Sequence, residues 1–335
     1  MSVGQVIEAI IKSLIIIVLL LTAFAYMTLY ERRLVGRIQA RFGPNRVGPG
    51  GFLQPVADGV KLAFKQSIIP RAVDLPLYLL APAISVVTAL VSFAVIPVGP
   101  SNVNIFGRQI NIYLADFNVG LLFVLAMSSL GAYGIVLAGY SSNNKYSLLG
   151  GLRAAAQLIS YELALGLSLI GVLMLSGSLS LTDIVNGQKN GFWYILVQPI
   201  GFVIYLISAI AETNRAPFDL VEAEQELVGG YHTEYTGLRF ALFFMAEYIN
   251  MVTVSALAAT LFLGGWRGPF DLLGGPWWLL IKVLFFLSLY IVLRATLPRL
   301  RYDQLMRLGW RYLLPIALFN VVITAIGIAI YEAVR

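Results

Sequence analysis

The chain has 335 residues, 59% of them hydrophobic and only 12% charged, with a mean hydropathy of +0.83. That balance excludes an ordinary soluble domain and marks an integral membrane protein. The net charge of +6 does not point to nucleic acid, because the basic residues are scattered between apolar runs with no soluble domain to carry a binding face.

Eight runs are long enough to cross ~30 Å of hydrocarbon at ~1.5 Å per residue. They cover about 11–30, 77–98, 117–140, 157–177, 192–212, 239–264, 277–297 and 311–332. The expected fold class is therefore all-α, a single polytopic membrane domain over 1–335 with eight transmembrane helices plus an interfacial amphipathic helix. The first run looks like a signal peptide but ends in Tyr30-Glu31-Arg32-Arg33 without a small-residue cleavage site, so it reads as a retained helix. Pro97, Pro100 and Asn102 close the second. Seventeen of the 23 Lys and Arg residues follow spans 1, 3, 5 and 7, which places those segments in the cytoplasm and both termini on the other side.

The segment after span 1 holds two parts. Residues 32–51 mix five arginines with glycine and proline and read as an ordered loop or a short helix followed by turns. Residues 52–67 read as a helix entered through Pro55, with Val56, Val60, Ala63 and Phe64 on one face and Asp58, Lys61 and Lys65 on the other, lying in the membrane interface. After span 3, residues 141–157 form a second cytoplasmic connection, where Ser-Ser-Asn-Asn is turn chemistry and Gly150-Gly151 permits close packing or bending. The outer loops near 99–116, 178–191 and 265–276 carry little charge and no visible chemistry.

The richest stretch is 211–250, where seven carboxylates fall within forty positions: Glu212, Asp219, Glu222, Glu224, Glu226, Glu234 and Glu247. Ionised carboxylates are costly near hydrocarbon, and crowding raises the cost, so the cluster reads as the acidic wall of a buried polar chamber and the mouth of a proton path. Most of it falls in the cytoplasmic loop at about 213–238. On a helix entered at Pro217, Asp219, Glu222 and Glu226 would share one edge, and acids near a helix N-terminus are also favoured for purely structural reasons. Coupled carboxylates share protons and titrate as a group. Within the spans, Glu162 and Glu247 each lie about two turns in from the cytoplasmic side, where an isolated glutamate is a functional candidate. After span 7 stand Arg294, Arg299, Arg301 and Asp303, which with Arg215 are either inside anchors or counter-charges to the acidic loop. Lys282 is expected to snorkel to the interface, and His232 to make a polar contact rather than act as a ligand.

With no cysteine the chain holds neither an iron–sulfur cluster nor a disulfide, and one histidine supplies neither a bis-histidine haem nor a usual zinc site. No Walker A or strand-borne Gly-x-Gly-x-x-Gly segment occurs, so any nucleotide or redox cofactor belongs to a partner.

Four segments carry a family resemblance: Glu31-Arg32-Arg33 through GPNRVGPGGFLQPVADGVKLAFK, then SSNNKYSLLGGLRAAAQLISYE, then AETNRAPFDLVEAEQELVGGYHTEY into FFMAEYIN, and finally RATLPRLRYDQLM. In this order they resemble the H-subunit family of bacterial proton-pumping NADH:quinone oxidoreductase, respiratory complex I, whose organellar equivalent is mitochondrially encoded. The resemblance implies an eight-helix subunit, not catalytic alone, at the junction of the membrane and hydrophilic arms. It would border a quinone chamber and couple quinone reduction to proton translocation. Partners would be the other membrane-arm subunits and the hydrophilic subunits, including the one bearing the terminal iron–sulfur cluster; NADH, FMN and the clusters would sit on those partners, with quinone as substrate and the bilayer around the chain. The implied location is a bacterial inner (plasma) membrane, or a mitochondrial inner membrane if the chain is organellar.

Carried onto matching positions, the family's acidic path takes Glu162, Glu212, Asp219, Glu222, Glu224, Glu226 and Glu247. Its quinone entrance, beside spans 1 and 6 and the interfacial helix, takes Arg41, Asp58, Lys61 and Lys65, with Glu234 at the chamber. The family often has Lys-Glu-Asp after the interfacial helix where this chain has Lys65-Gln66-Ser67, which leaves open any role resting on that acidic pair. A related hydrogenase or dehydrogenase anchor is the nearest alternative. A stand-alone cation transporter would show internal repeats and broken mid-membrane helices, neither of which is evident, and a mere scaffold leaves Glu162 and Glu247 unexplained.

Overall fold

The computed structural model describes residues 3–100, 103–105, 108–188, 192–220, 229–269 and 274–334. Seven described helices are long and apolar enough to cross a membrane. They are α1 (Val3–Ile38), α3 (Leu75–Phe93), α4 (Gly120–Ser141), α5 (Lys145–Ser176), α9 (Leu238–Phe262), α10 (Pro276–Thr296) and α11 (Tyr302–Val334). Between them lie α2 (Gln54–Phe64), α6 (Leu181–Gly187), α7 (Tyr194–Val197) and α8 (Pro199–Glu212). The expected all-α fold holds, with one addition: an antiparallel hairpin of three-residue strands, Val103–Ile105 and Arg108–Ile110, in the loop after α3.

The run expected over 192–212 is broken. Gln198 leaves helical geometry between α7 and α8, where Pro199, which has no N–H to donate, starts the second piece. The Gln198 side chain turns inward, donating to Thr324 Oγ1 at 2.7 Å and accepting from Asn320 Nδ2 at 2.9 Å. The break thus becomes a polar tie between α8 and α11.

Several helices outrun their apolar stretches, because hydropathy ends at the first charge while helical backbone does not. The α1 helix continues to Ile38 and carries Glu31, Arg32 and Arg33 on it. The α5 helix begins at Lys145, capped by the Asn144 side chain at Tyr146 N (3.0 Å), so Gly150 and Gly151 are helical and not loop residues. Their lack of a side chain serves packing: a Cβ on Gly150 would stand 2.8 Å from Gly230 Cα, and one on Gly139 of α4 would stand 2.7 Å from Ser147 O. The α11 helix begins at Tyr302 and passes through a π-helical turn at Leu308–Leu313.

The core runs through α4, α5, α8, α9 and α10, with Tyr161, Tyr205, Phe262 and Phe286 fully buried. The α2 helix buries none of its residues, and its Val56, Val60 and Phe64 face is exposed. Lys282 departs from the snorkelling expectation. Its Nζ is turned inward and donates to the carbonyls of Leu263 (2.6 Å), Gly265 (2.8 Å) and Arg267 (2.6 Å). Gln188 donates to the Thr260 and Leu261 carbonyls, 3.2 Å each. Gln188 thus satisfies two of the last carbonyls of α9, and Lys282 those of the turn that follows it.

Candidate functional site

Glu31 near the end of α1 is the centre of the site. Although 7% exposed, it gathers three partners. Tyr248 of α9 donates to its Oε2 at 2.7 Å, Arg215 Nη1 lies 3.4 Å from Oε1, and Arg294 of α10 binds the same oxygen. Arg215 in turn forms an ion pair with Glu247 (Nε to Oε1, 2.5 Å), and its guanidinium lies 4.3 Å from the centre of the Tyr248 ring. The cluster of Glu31, Glu247, Arg215 and Arg294 is thus balanced two against two. Burial alone would lower the pKa of Arg215, but Glu247, Tyr248 and Glu31 outweigh it and raise the pKa, so the guanidinium stays charged.

The loop after α8 is pinned in place. Gln157 of α5 donates to the carbonyls of Ala211 (2.8 Å) and Phe218 (2.9 Å), and the Phe218 ring packs 5.5 Å from that of Tyr161. From Thr213 to Leu220 the chain is turn structure, so no helix enters at Pro217 itself. Asp219 is buried and pairs with Arg299 at 2.8 Å, while Leu300 N donates to Pro217 O at 3.1 Å. Glu222, Glu224 and Glu226 lie outside the described residues.

A cleft of about 1460 Å³ opens beside this cluster, with a mostly apolar lining from α1, α2 and α9. Arg41, Asp58, Lys61 and Lys65 all line it, together with Glu31, Arg215, Tyr248 and Arg294. Asp58 is fixed by Arg32 (2.7 Å) and Gln54 (3.0 Å). Tyr235 also borders the cleft, stacked on Tyr78 at 4.2 Å between ring centres, and burial pushes its phenol up to about 12. Glu234 does not line the cleft: it accepts from Asn144 Nδ2 at 2.7 Å instead.

Behind the cleft lies a small cavity of about 50 Å³ lined by Glu247, Glu212, Ser128, Ser85 and Asn250 among others, and beyond it one of about 20 Å³ that shares Ser128, Glu212 and Asn250. Arg215 lines the cleft and Glu247 lines the first cavity, so their ion pair is the partition between the two spaces. Glu212, the last residue of α8, accepts from Ser128, and Glu162 of α5 accepts from Ser129.

The structure thus brings Arg41, Asp58, Lys61 and Lys65 to one cleft, and Glu212 and Glu247 to one cavity. Of the four counter-charges in arginine, Arg215, Arg294 and Arg299 meet carboxylates, whereas exposed Arg301 pairs only locally with Asp303 at 3.7 Å. Arg294 binds Glu31 and not the acidic loop. Residue-by-residue reading of the sequence does not single out Glu31, Tyr248, Ser128 or Ser129 as site residues; a serine pair in the middle of the apolar run 117–140 is the available signal. His232 lies among aromatic rings, 5.0 Å from Tyr231 and 5.1 Å from Phe240.

The family described as NADH dehydrogenase matches residues 11–325. The H subunit of NADH-quinone oxidoreductase from Thermomicrobium roseum is 57% identical over 316 residues, covering 92% of each chain. The H subunit of the Deinococcus deserti enzyme is 54% identical over 97% of this chain and 84% of its own, and an H-type subunit from Geobacter metallireducens is 52% identical over 97% and 96%. The chain therefore belongs to the NADH dehydrogenase family, as a membrane subunit of NADH-quinone oxidoreductase of the H type.

Proposed function

We propose that this subunit forms part of the quinone chamber of a proton-pumping NADH:quinone oxidoreductase and passes the charge change of quinone reduction into a proton path. It does so in a bacterial inner membrane with both termini on the non-cytoplasmic side. The observation that carries the reading is the Arg215–Glu247 partition, one side of which lines the cleft and the other the inner cavity. An isoprenoid quinone suits a mostly apolar cleft with one charged end. Its tail would enter between α1, α2 and α9, past Arg41, Asp58, Lys61 and Lys65, and its head would face Glu31, Arg215, Tyr248 and Arg294. Electrons arrive from a partner subunit's terminal iron–sulfur cluster, with NADH and FMN further away on other partners.

Reduction of quinone changes the charge beside Glu31. A balanced buried cluster cannot absorb such a change without adjusting another member, because uncompensated charge is costly there. Arg215 is shared between Glu31 and Glu247, so a stronger pull from the cleft weakens its hold on Glu247 and admits a proton from the cavity side. From Glu247 the path continues through the cavity to Glu212 and Glu162, and on to the neighbouring membrane subunits, with the acids of 221–228 as a cytoplasmic reservoir.

The test is Glu247→Gln and Glu224→Gln, singly and together, in the assembled complex. NADH oxidation by a water-soluble acceptor is expected to persist, while NADH-driven proton uptake into vesicles falls. Unchanged pumping with both replaced overturns the proposal.

A further inference from the structure

Ser128 and Ser129 are consecutive on α4, so their side chains diverge by about 100°. One meets Glu212 on α8 and the other meets Glu162 on α5. Two helices therefore deliver their membrane-embedded carboxyls to two adjacent hydroxyls on a third. Glu162 lies within electrostatic reach of Glu212.

The partner chemistry of these two differs from that of the buried carboxylates around the cleft and the loop after α8. Glu31, Glu247 and Asp219 are paired with arginine, which offers donors only and so matches an ionised carboxylate. A hydroxyl both donates and accepts. Facing an ionised carboxylate, serine donates its proton; facing the protonated acid, the same oxygen accepts, provided its own hydrogen has another place to go. Both serines have that second place. Ser129 Oγ lies 3.0 Å from the Leu125 carbonyl as well as against Glu162. Ser128 lines both the 50 Å³ and the 20 Å³ cavity. A polar void needs roughly 10–15 Å³ to hold one water, so both spaces have room for a water to accept from it.

Resting on the coupling role proposed above, we infer that Ser128 and Ser129 are positioning residues that keep Glu212 and Glu162 hydrogen-bonded in both protonation states and so make these two the proton carriers of the path. One step then balances simply. A proton reaching Glu212 from the Glu247 side, through water in the shared cavity, forms the acid O–H; that O–H donates to Ser128 Oγ, and the serine hydrogen turns to cavity water. When Glu212 gives the proton up toward Glu162, the hydroxyl of Ser128 turns back. Ser129 repeats the exchange, with the Leu125 carbonyl taking its hydrogen while Glu162 is protonated. No bond other than O–H is made or broken.

The experiment uses the assembled complex in vesicles with Ser128→Ala, Ser129→Ala, the double variant, and Ser128→Thr and Ser129→Thr, beside Glu212→Gln and Glu162→Gln. NADH oxidation by a water-soluble acceptor reports assembly. The readouts are the rate of NADH-driven proton uptake, its yield per NADH and the infrared carbonyl band of protonated carboxyls. Losing a hydrogen bond to a charged group is worth about 1.5–3 kcal/mol, so each alanine is expected to slow coupled proton uptake roughly tenfold or more and to move the carboxyl band, while threonine restores both. Wild-type proton yield and an unmoved band in the double alanine variant overturn the inference. If instead Glu212→Gln and Glu162→Gln both pump normally, the coupling role itself fails. Should the double variant not assemble, the single alanine–threonine pairs decide by the same readouts.

Discussion

The arginine-held carboxylates at the cleft and the serine-held carboxylates behind it are the same functional group placed in two chemical settings. Around Glu31 the charges are matched and two arginines and a tyrosine converge on one buried carboxylate, so a change there is expensive and must be passed on. Around Glu212 and Glu162 the partners are neutral and can reverse their hydrogen bonds, so a change there is easy. In the proposed mechanism one region registers charge and the other lets protons through.

The comparison is most strongly tested at Arg215. Arg215→Ala removes the one arginine shared by Glu31 and Glu247, leaves Glu31 to Arg294 and Tyr248, and is expected to cost about 3–5 kcal/mol, seen as a lower thermal midpoint of the assembled complex and loss of quinone reductase activity. Arg215→Lys keeps the charge but not the fork, and should recover much of the midpoint with less of the coupling. Next in size, Arg299→Gln leaves buried Asp219 without its arginine and should destabilise by about 1–3 kcal/mol, measured in the same melt. The smallest effect belongs to Arg301→Gln. That exposed residue pairs only with exposed Asp303 among the described contacts, so proton uptake and melting should stay within error of wild type. A large loss from Arg301→Gln would mean that the counter-charge role extends beyond Arg215, Arg294 and Arg299.

The long apolar helices were legible because hydrocarbon imposes a one-dimensional rule on sequence: apolar for ~20 residues, charge outside. The same rule misplaced the start of α5, since Lys145 and Arg153 end an apolar run without ending a helix. It also hid the break at Gln198, whose cost is offset by Asn320 and Thr324 from a distant helix. The cleft residues Arg41, Asp58, Lys61 and Lys65 came from the family resemblance and not from their spacing. Ser128 and Ser129 left only the faint signal of a serine pair in an apolar run, for a different reason. A mid-span serine commonly bonds back to its own helix, and only the packing of α4 against α5 and the approach of Glu212 to Ser128 distinguish a carboxyl partner from that local bond.

Lys282 offers a handle of a practical kind. Three carbonyls hold its nitrogen and the side chain is buried, so a reagent in solution does not reach it. An amine-reactive ester that labels exposed Lys65 and Lys145 should pass Lys282 by until the end of α9 comes apart. Its labelling, followed by peptide mass, thus becomes an internal clock for the opening of that end, readable in the intact enzyme without any substitution.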